Sequence, residues 1–137
     1  MNVARAEGAQ APFERVMLID DELVDRILCT RILKRSGVCS TVLPFGDPRQ
    51  ALNFLARAPR QRVDLIFLDI NMPGMSGFDF IEAATHRLGE RFTCIDVVIL
   101  STSTHHDDIE HAARSPVVKH YVRKPLTVER INRMVVR

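Results

Sequence analysis

The sequence holds too few cysteines, too widely scattered, to build a framework from them. Cys29, Cys39 and Cys94 are odd in number and include no C-x-x-C spacing. That argues against a disulfide scaffold or a zinc site and fits reduced core or surface thiols of a cytoplasmic protein. Long hydrophobic runs are also missing. No apolar stretch approaches the roughly 20 residues a membrane-spanning helix needs, and Met1 to Glu14 lacks the continuous apolar segment of a secretory signal. Neither sign of charge dominates: 19 Lys and Arg stand against 17 Asp and Glu, a formal net charge of +2. Nothing in that balance asks for nucleic acid or a membrane surface as a partner. There is no internal repeat and no low-complexity segment.

What remains is an ordinary globular composition, 46% hydrophobic and 26% charged over 137 residues, which suits one domain with a sizeable core. Residues 1–14 read as a flexible N-terminal tail, its first part (Met1 to Pro12) rich in Ala and polar residues, and 15–137 as the domain. Val16 to Ile19 is a first apolar run. It is followed by a helical pattern in which Leu23, Val24, Ile27, Leu28 and Ile32 form the apolar stripe, with Asp25, Arg26 and Lys34 opposite and Gly37 as C-terminal cap. Thr41 to Leu43 is a short strand running through Pro44 into a turn. Asp47 and Pro48 start a second helix with Ala51, Leu52, Leu55 and Ala58 inward, stopped by Pro59. Leu65 to Leu68 is a third strand. Ser76 precedes a helix whose core face is Phe78, Ile81, Ala84 and Leu88. Ile95 to Leu100 and Val117 to Val122 are the remaining strands. Thr104 is expected to cap a short helix with Asp107 and Asp108 in its first turn, and Thr127 a last one carrying Val128, Ile131, Asn132 and Val135 on one face. Strand and helix alternate five times, which predicts a parallel sheet covered on both sides.

The chain is organised around its third strand. A continuous apolar run ends abruptly on Asp69 and opens into a loop punctuated by Pro73, Gly74 and Gly77. In such sheets ligands gather outside the carboxyl ends of the strands. Read in order, those ends carry Asp20 and Asp21, then Asp69, Ser101 and Lys124. Three neighbouring carboxylates repel one another and have raised pKa values unless a cation sits among them, and an all-oxygen set suits Mg²⁺. A metal, an ammonium and a hydroxyl around an aspartate describe a phosphoryl-binding site, and a carboxylate can itself be the nucleophile that takes up the phosphoryl group.

Four pieces carry a family resemblance: Met17 to Glu22, Leu65 to Gly77, Val98 to Ser101, and Tyr121 to Pro125. From about Arg15 onward the chain resembles the receiver domain of two-component response regulators, of the CheY-like, single-domain kind. The resemblance implies an α/β, flavodoxin-like, doubly wound (βα)₅ fold with a five-stranded parallel sheet in the order 2-1-3-4-5. It implies Mg²⁺-dependent transfer of a phosphoryl group onto Asp69 from a sensor histidine kinase or a histidine phosphotransfer protein. Asp21, Asp69 and the backbone carbonyl of Asn71 would hold the Mg²⁺ directly, and Asp20 largely through water. Ser101 would hydrogen-bond the phosphoryl group, Lys124 would pair with it, and Tyr121 would turn inward when Ser101 moves. Pro125 would carry a peptide bond often held cis. Two departures stand out. Thr102 occupies a position where the family usually has a smaller residue, so it is expected to gate access to Asp69. The segment Arg114 to Val118 lacks the Gly- or Ala-rich stretch of many members.

Two other readings compete. A Mg²⁺-dependent phosphohydrolase would need a second acid near the nucleophile, whereas Asn71 stands two residues after Asp69, and no insertion is long enough for a cap. A partner-binding scaffold that is never phosphorylated would be favoured by loss of an acid or of the lysine, and all are present. The favoured expectation is therefore a phospho-accepting switch, enzymatic only in catalysing its own phosphorylation and dephosphorylation. With the last helix closing the chain, output is expected to pass through a separate protein or a relay. The basic residues Arg114, Lys119, His120, Arg123, Arg130, Arg133 and Arg137 mark the surface where an acidic partner is expected. His105, His106, His111 and His120 in the same region would make docking sensitive to pH near neutrality.

Overall fold

In the computed structural model, residues 11–57, 62–103 and 105–135 are described. The elements run β1 (Phe13–Ile19), α1 (Leu23–Ser36), β2 (Cys39–Phe45), α2 (Pro48–Arg57), β3 (Leu65–Asp69), α3 (Gly77–Leu88), α4 (Glu90–Thr93), β4 (Asp96–Ser101), α5 (His106–Arg114), β5 (Val118–Arg123) and α6 (Val128–Val135). The five strands form one parallel sheet in the order β2-β1-β3-β4-β5. The expected fold class is the one observed. The side-chain period of two splits each strand between two cores. Met17, Ile19, Ile66 and Leu68 meet Ala51, Phe80, Ala84 and Phe92 on one face. Val16, Leu18, Leu65 and Phe67 meet Cys29, Leu33 and Ile131 on the other. β3 is buried along its whole length, which is why it reads as an unbroken apolar run.

Several local expectations need correcting. Phe13 and Glu14, read as tail, are the first residues of β1, and the Asp64 carboxylate accepts the Glu14 and Arg15 N–H groups at 2.9 and 3.1 Å. Pro44 lies inside β2 rather than after it, tolerated because β2 is an edge strand. On α3 the fully buried aromatic is Phe80. Phe78 is half-buried, with its ring stacked on His111 of α5 at a centroid distance of 3.8 Å. The short helix α4 was not anticipated. It brings Phe92 into the core, edge-on to Phe80. Ala58, Pro59 and Thr104 lie outside the described residues, and the N-cap of α5 is His105.

The largest correction concerns α1. Gly37 does cap it, at φ 73°. Its buried residues, however, are Cys29, Leu33 and Ser36, while Leu23, Val24, Ile27 and Leu28 are 58%, 65%, 42% and 51% exposed. The reason is polar. Arg26 donates to the Asp20 carbonyl at 2.8 Å, and Asp25 takes a hydrogen bond from Lys124 at 3.0 Å. The first turn of the helix therefore turns its charged side to the sheet edge and its apolar side to solvent.

Candidate functional site

The carboxyl ends of β1, β3, β4 and β5 supply the site. β1 runs straight into Asp20, whose side chain is fully buried and whose N–H donates to the Phe45 carbonyl at 3.0 Å. Its Oδ1 accepts the Glu22 N–H at 3.0 Å and its Oδ2 accepts the Lys124 ammonium at 2.9 Å. Asp69 ends β3 at 5% exposure. Its Oδ1 accepts the Asn71 N–H at 3.2 Å, and its Oδ2 lies 3.6 Å from Lys124. Asp21 is half-buried, with a buried Oδ1 that has no hydrogen-bond partner. One oxygen from each of Asp20, Asp21 and Asp69 fits within a span of 4.8 Å.

Electrostatics follow from this crowding. Burial pushes the Asp69 carboxyl up to about 6, opposed by Lys124 and the Asn71 N–H and reinforced by the charges of Asp20 and Asp21. Desolvation therefore outweighs the mutual repulsion on which the sequence argument leaned. For Lys124 burial acts downward, but its hydrogen bonds to Asp20 and Asp25 and the charge of Asp69 prevail and hold it above the usual lysine range. Charged oxygens around an orphaned buried oxygen are the chemistry a hard divalent cation satisfies. On this donor set the site fits Mg²⁺.

Ser101, the last residue of β4, is fully buried, and its hydroxyl oxygen accepts the Ser103 N–H at 2.9 Å. The Ser101 carbonyl accepts the Lys124 N–H at 2.9 Å, which ties β4 to the end of β5. Tyr121 is half-buried and its hydroxyl donates to the Ser103 carbonyl at 3.1 Å, so Ser103 connects the two proposed switch residues. The Lys124–Pro125 peptide is cis. Asn71 and Thr102 are both exposed, and Thr102 lines a cavity of about 270 Å³ together with Asp25, Leu28, Cys29, Lys124 and Pro125. Sequence reasoning missed Asp25 and Ser103. Asp25 was hidden in what looked like the solvent side of α1. Ser103 was one of four hydroxyl residues in a row, and it alone among those described also donates to Asp108, at 2.7 Å, across the start of α5.

Comparisons with known proteins place the chain in one family. The family model of the response regulator receiver domain matches residues 16–136. Among characterised relatives, the probable methanogenesis regulatory protein FilR2 of Methanothrix harundinacea is 30% identical over 93% of this chain and 81% of its own length. A protein-glutamate methylesterase/protein-glutamine glutaminase of Rhodospirillum centenum is 34% identical over 90% of this chain, which spans only 29% of that longer protein. Among solved structures, a two-component response regulator from Cytophaga hutchinsonii superposes with a TM-score of 0.77 at 30% identity, covering 88% of this chain and 92% of that one.

Proposed function

The chain belongs to the response regulator receiver domain family, and from that premise we propose that it takes a phosphoryl group from a phosphohistidine onto Asp69 and so switches its binding to a downstream protein. The observation that carries this reading is the convergence of Asp20, Asp21, Asp69 and Lys124 on one patch at the sheet edge, with Asp20 and Asp69 buried. An Asp69 carboxylate oxygen attacks phosphorus in line, the phosphorus–nitrogen bond to the donor imidazole breaks, and the imidazole regains a proton. Asp21, Asp69 and the Asn71 carbonyl would hold Mg²⁺, with Asp20 acting through water, and the ion when bound neutralises charge on the phosphoryl oxygens. Lys124 supplies a second positive charge, and the buried Ser101 hydroxyl a hydrogen bond. The test is phosphate uptake from a small acyl phosphate with Mg²⁺. Uptake saturating at one phosphate per chain supports the switch. Sustained hydrolysis of an unactivated phosphate monoester, which cannot phosphorylate a receiver, supports the phosphohydrolase instead.

Among the site acids, Asp21 carries the unpartnered oxygen whereas Asp20 is already hydrogen-bonded through both of its own. Asp21→Ala is therefore expected to weaken Mg²⁺ binding about tenfold or more, and Asp20→Ala less. Calorimetric titration of both variants checks this, and equal affinities would remove the distinction.

Two surfaces support the partner assignment. The exposed side chains of Leu23, Val24, Ile27 and Leu28 form an apolar stripe on α1, the helix whose Asp25 pairs with Lys124; such a patch marks an interaction site, and we place the phosphohistidine donor there. Downstream recognition is placed on α5, β5 and α6, where Arg123, Arg130 and Arg133 line a shallow concavity next to Tyr121. Arg137 of the expected basic set lies outside the described residues. Reversing Arg130 and Arg133 to Glu is expected to weaken binding of an acidic partner about tenfold and to flatten its salt dependence. Binding isotherms of the phosphorylated protein over a salt series measure both.

A further inference from the structure

Lys124 is shared among three carboxylates, and the two nearest are not the acceptor. Its Nζ lies 2.9 Å from Asp20 Oδ2, 3.0 Å from Asp25 Oδ2 and 3.6 Å from Asp69 Oδ2. An ammonium has three donors, and two of them form hydrogen bonds away from the residue the proposed chemistry needs. Asp20 belongs to the metal cluster, but Asp25 does not. It comes from the first turn of α1, at the rim of the cavity that Thr102 and Pro125 also line. Together with the hydrogen bond from Arg26 to the Asp20 carbonyl, the contact holds the charged side of α1 toward the sheet.

We propose that Asp25 is a positioning residue that draws the Lys124 ammonium toward α1 in the resting protein, so that the ease of releasing Lys124 to a phosphoryl group on Asp69 is set by Asp25. The inference rests on the phosphoacceptor reading. A phosphoryl group brings more negative charge and more acceptor oxygens than the bare carboxylate. The third donor is free among the described residues, but Nζ stands 3.6 Å from Asp69 Oδ2, so moving it into hydrogen-bond reach of a group on Asp69 stretches the hydrogen bond to Asp25. Asp25 thus opposes phosphoryl binding through the lysine alone. A simple clasp between α1 and the β5–α6 turn would behave differently: its removal would lower the melting temperature and leave donor kinetics unchanged.

The experiment uses the full chain with saturating Mg²⁺ and acetyl phosphate. Asp25→Asn is expected to lower the half-saturating donor concentration about threefold to tenfold, with the maximal rate changed by less than about twofold. Asp25→Glu, which keeps the charge, stays within about twofold of the native chain. In a Lys124→Met background, Asp25→Asn has no further effect. An unchanged half-saturation in Asp25→Asn, or an equal drop with Lys124 already replaced, overturns the proposal. A second measurement is independent of phosphorylation: the ¹⁵N resonance of the Lys124 ammonium, recorded without donor or metal, moves in Asp25→Asn. An unmoved resonance overturns the positioning role. A resonance that moves in Asp25→Asn while the native chain takes up no phosphate overturns the phosphoacceptor reading instead.

Discussion

Asp69→Asn is expected to take up no phosphate and, without divalent cations at pH 8, to be more stable than the native chain by about 1–3 kcal/mol. The first result removes the proposed nucleophile. The second follows from where the carboxyl sits. Burial raises it from 3.8 to about 6, whereas the unfolded chain titrates near the ordinary value. Between those limits the folded protein holds a proton that the unfolded chain has released. The stability this group contributes is therefore fully present below the unfolded value and is lost as pH rises through the folded one. A difference of that size is worth about 3 kcal/mol at most. The substitution escapes this cost but leaves Lys124 with one carboxylate fewer, which sets the lower end of the range. Urea unfolding of both proteins at pH 4 and pH 8 should show the advantage at pH 8 only. Adding Mg²⁺ at pH 8 should stabilise the native chain more and close the gap. An advantage equal at both pH values would mean that burial of the charge is not its cause.

Gly77→Ala is expected to destabilise the fold by about 1–3 kcal/mol and to slow phosphorylation at least tenfold. Gly77 opens α3 and donates its N–H to the Ile70 carbonyl at 3.0 Å, which presses the helix start against the end of β3. A Cβ there would stand 2.7 Å from the Asp69 carbonyl oxygen and 2.8 Å from the Ile70 Cα. Both are backbone atoms and neither can rotate aside. Alanine's better helix propensity recovers no more than about 1 kcal/mol, so the clash decides the sign, and the residue pushed is the one that carries the acceptor. Gly89 is the natural control. At φ 58° it has nothing within 4 Å of an added Cβ, so Gly89→Ala meets only backbone strain, of about 1–2 kcal/mol. Its phosphorylation should match the native chain. If Gly77→Ala and Gly89→Ala prove equal in rate, the contact beneath Asp69 does not position it.

The sheet was legible because its strands are short apolar runs that stop on polar residues. Those stops, from Asp20 to Lys124, are the site itself. What the sequence hid lies on the helices. In α1 apolar side chains occur on more than one face, so periodicity alone offered two cores. The choice was made by Lys124, about a hundred residues away, pairing with Asp25. On α3 the same ambiguity put Phe78 where Phe80 belongs, because Phe78 has a partner of its own in His111. Helix α4 is a single turn, too short for any periodic signal. Propensity and pattern are local, whereas the rotation of a helix on a sheet is fixed by distant contacts.

The central claim is that Asp69 accepts the phosphoryl group. It is tested most directly by treating the chain with acetyl phosphate and Mg²⁺, reducing with borohydride, and mapping the peptides by mass spectrometry. An acyl phosphate is reduced to the alcohol, whereas a free carboxylate is not. One reduced aspartate is expected, at position 69, and none when the metal is chelated. Reduction at Asp20, Asp21 or Asp25 instead, or the same yield without metal, would contradict it.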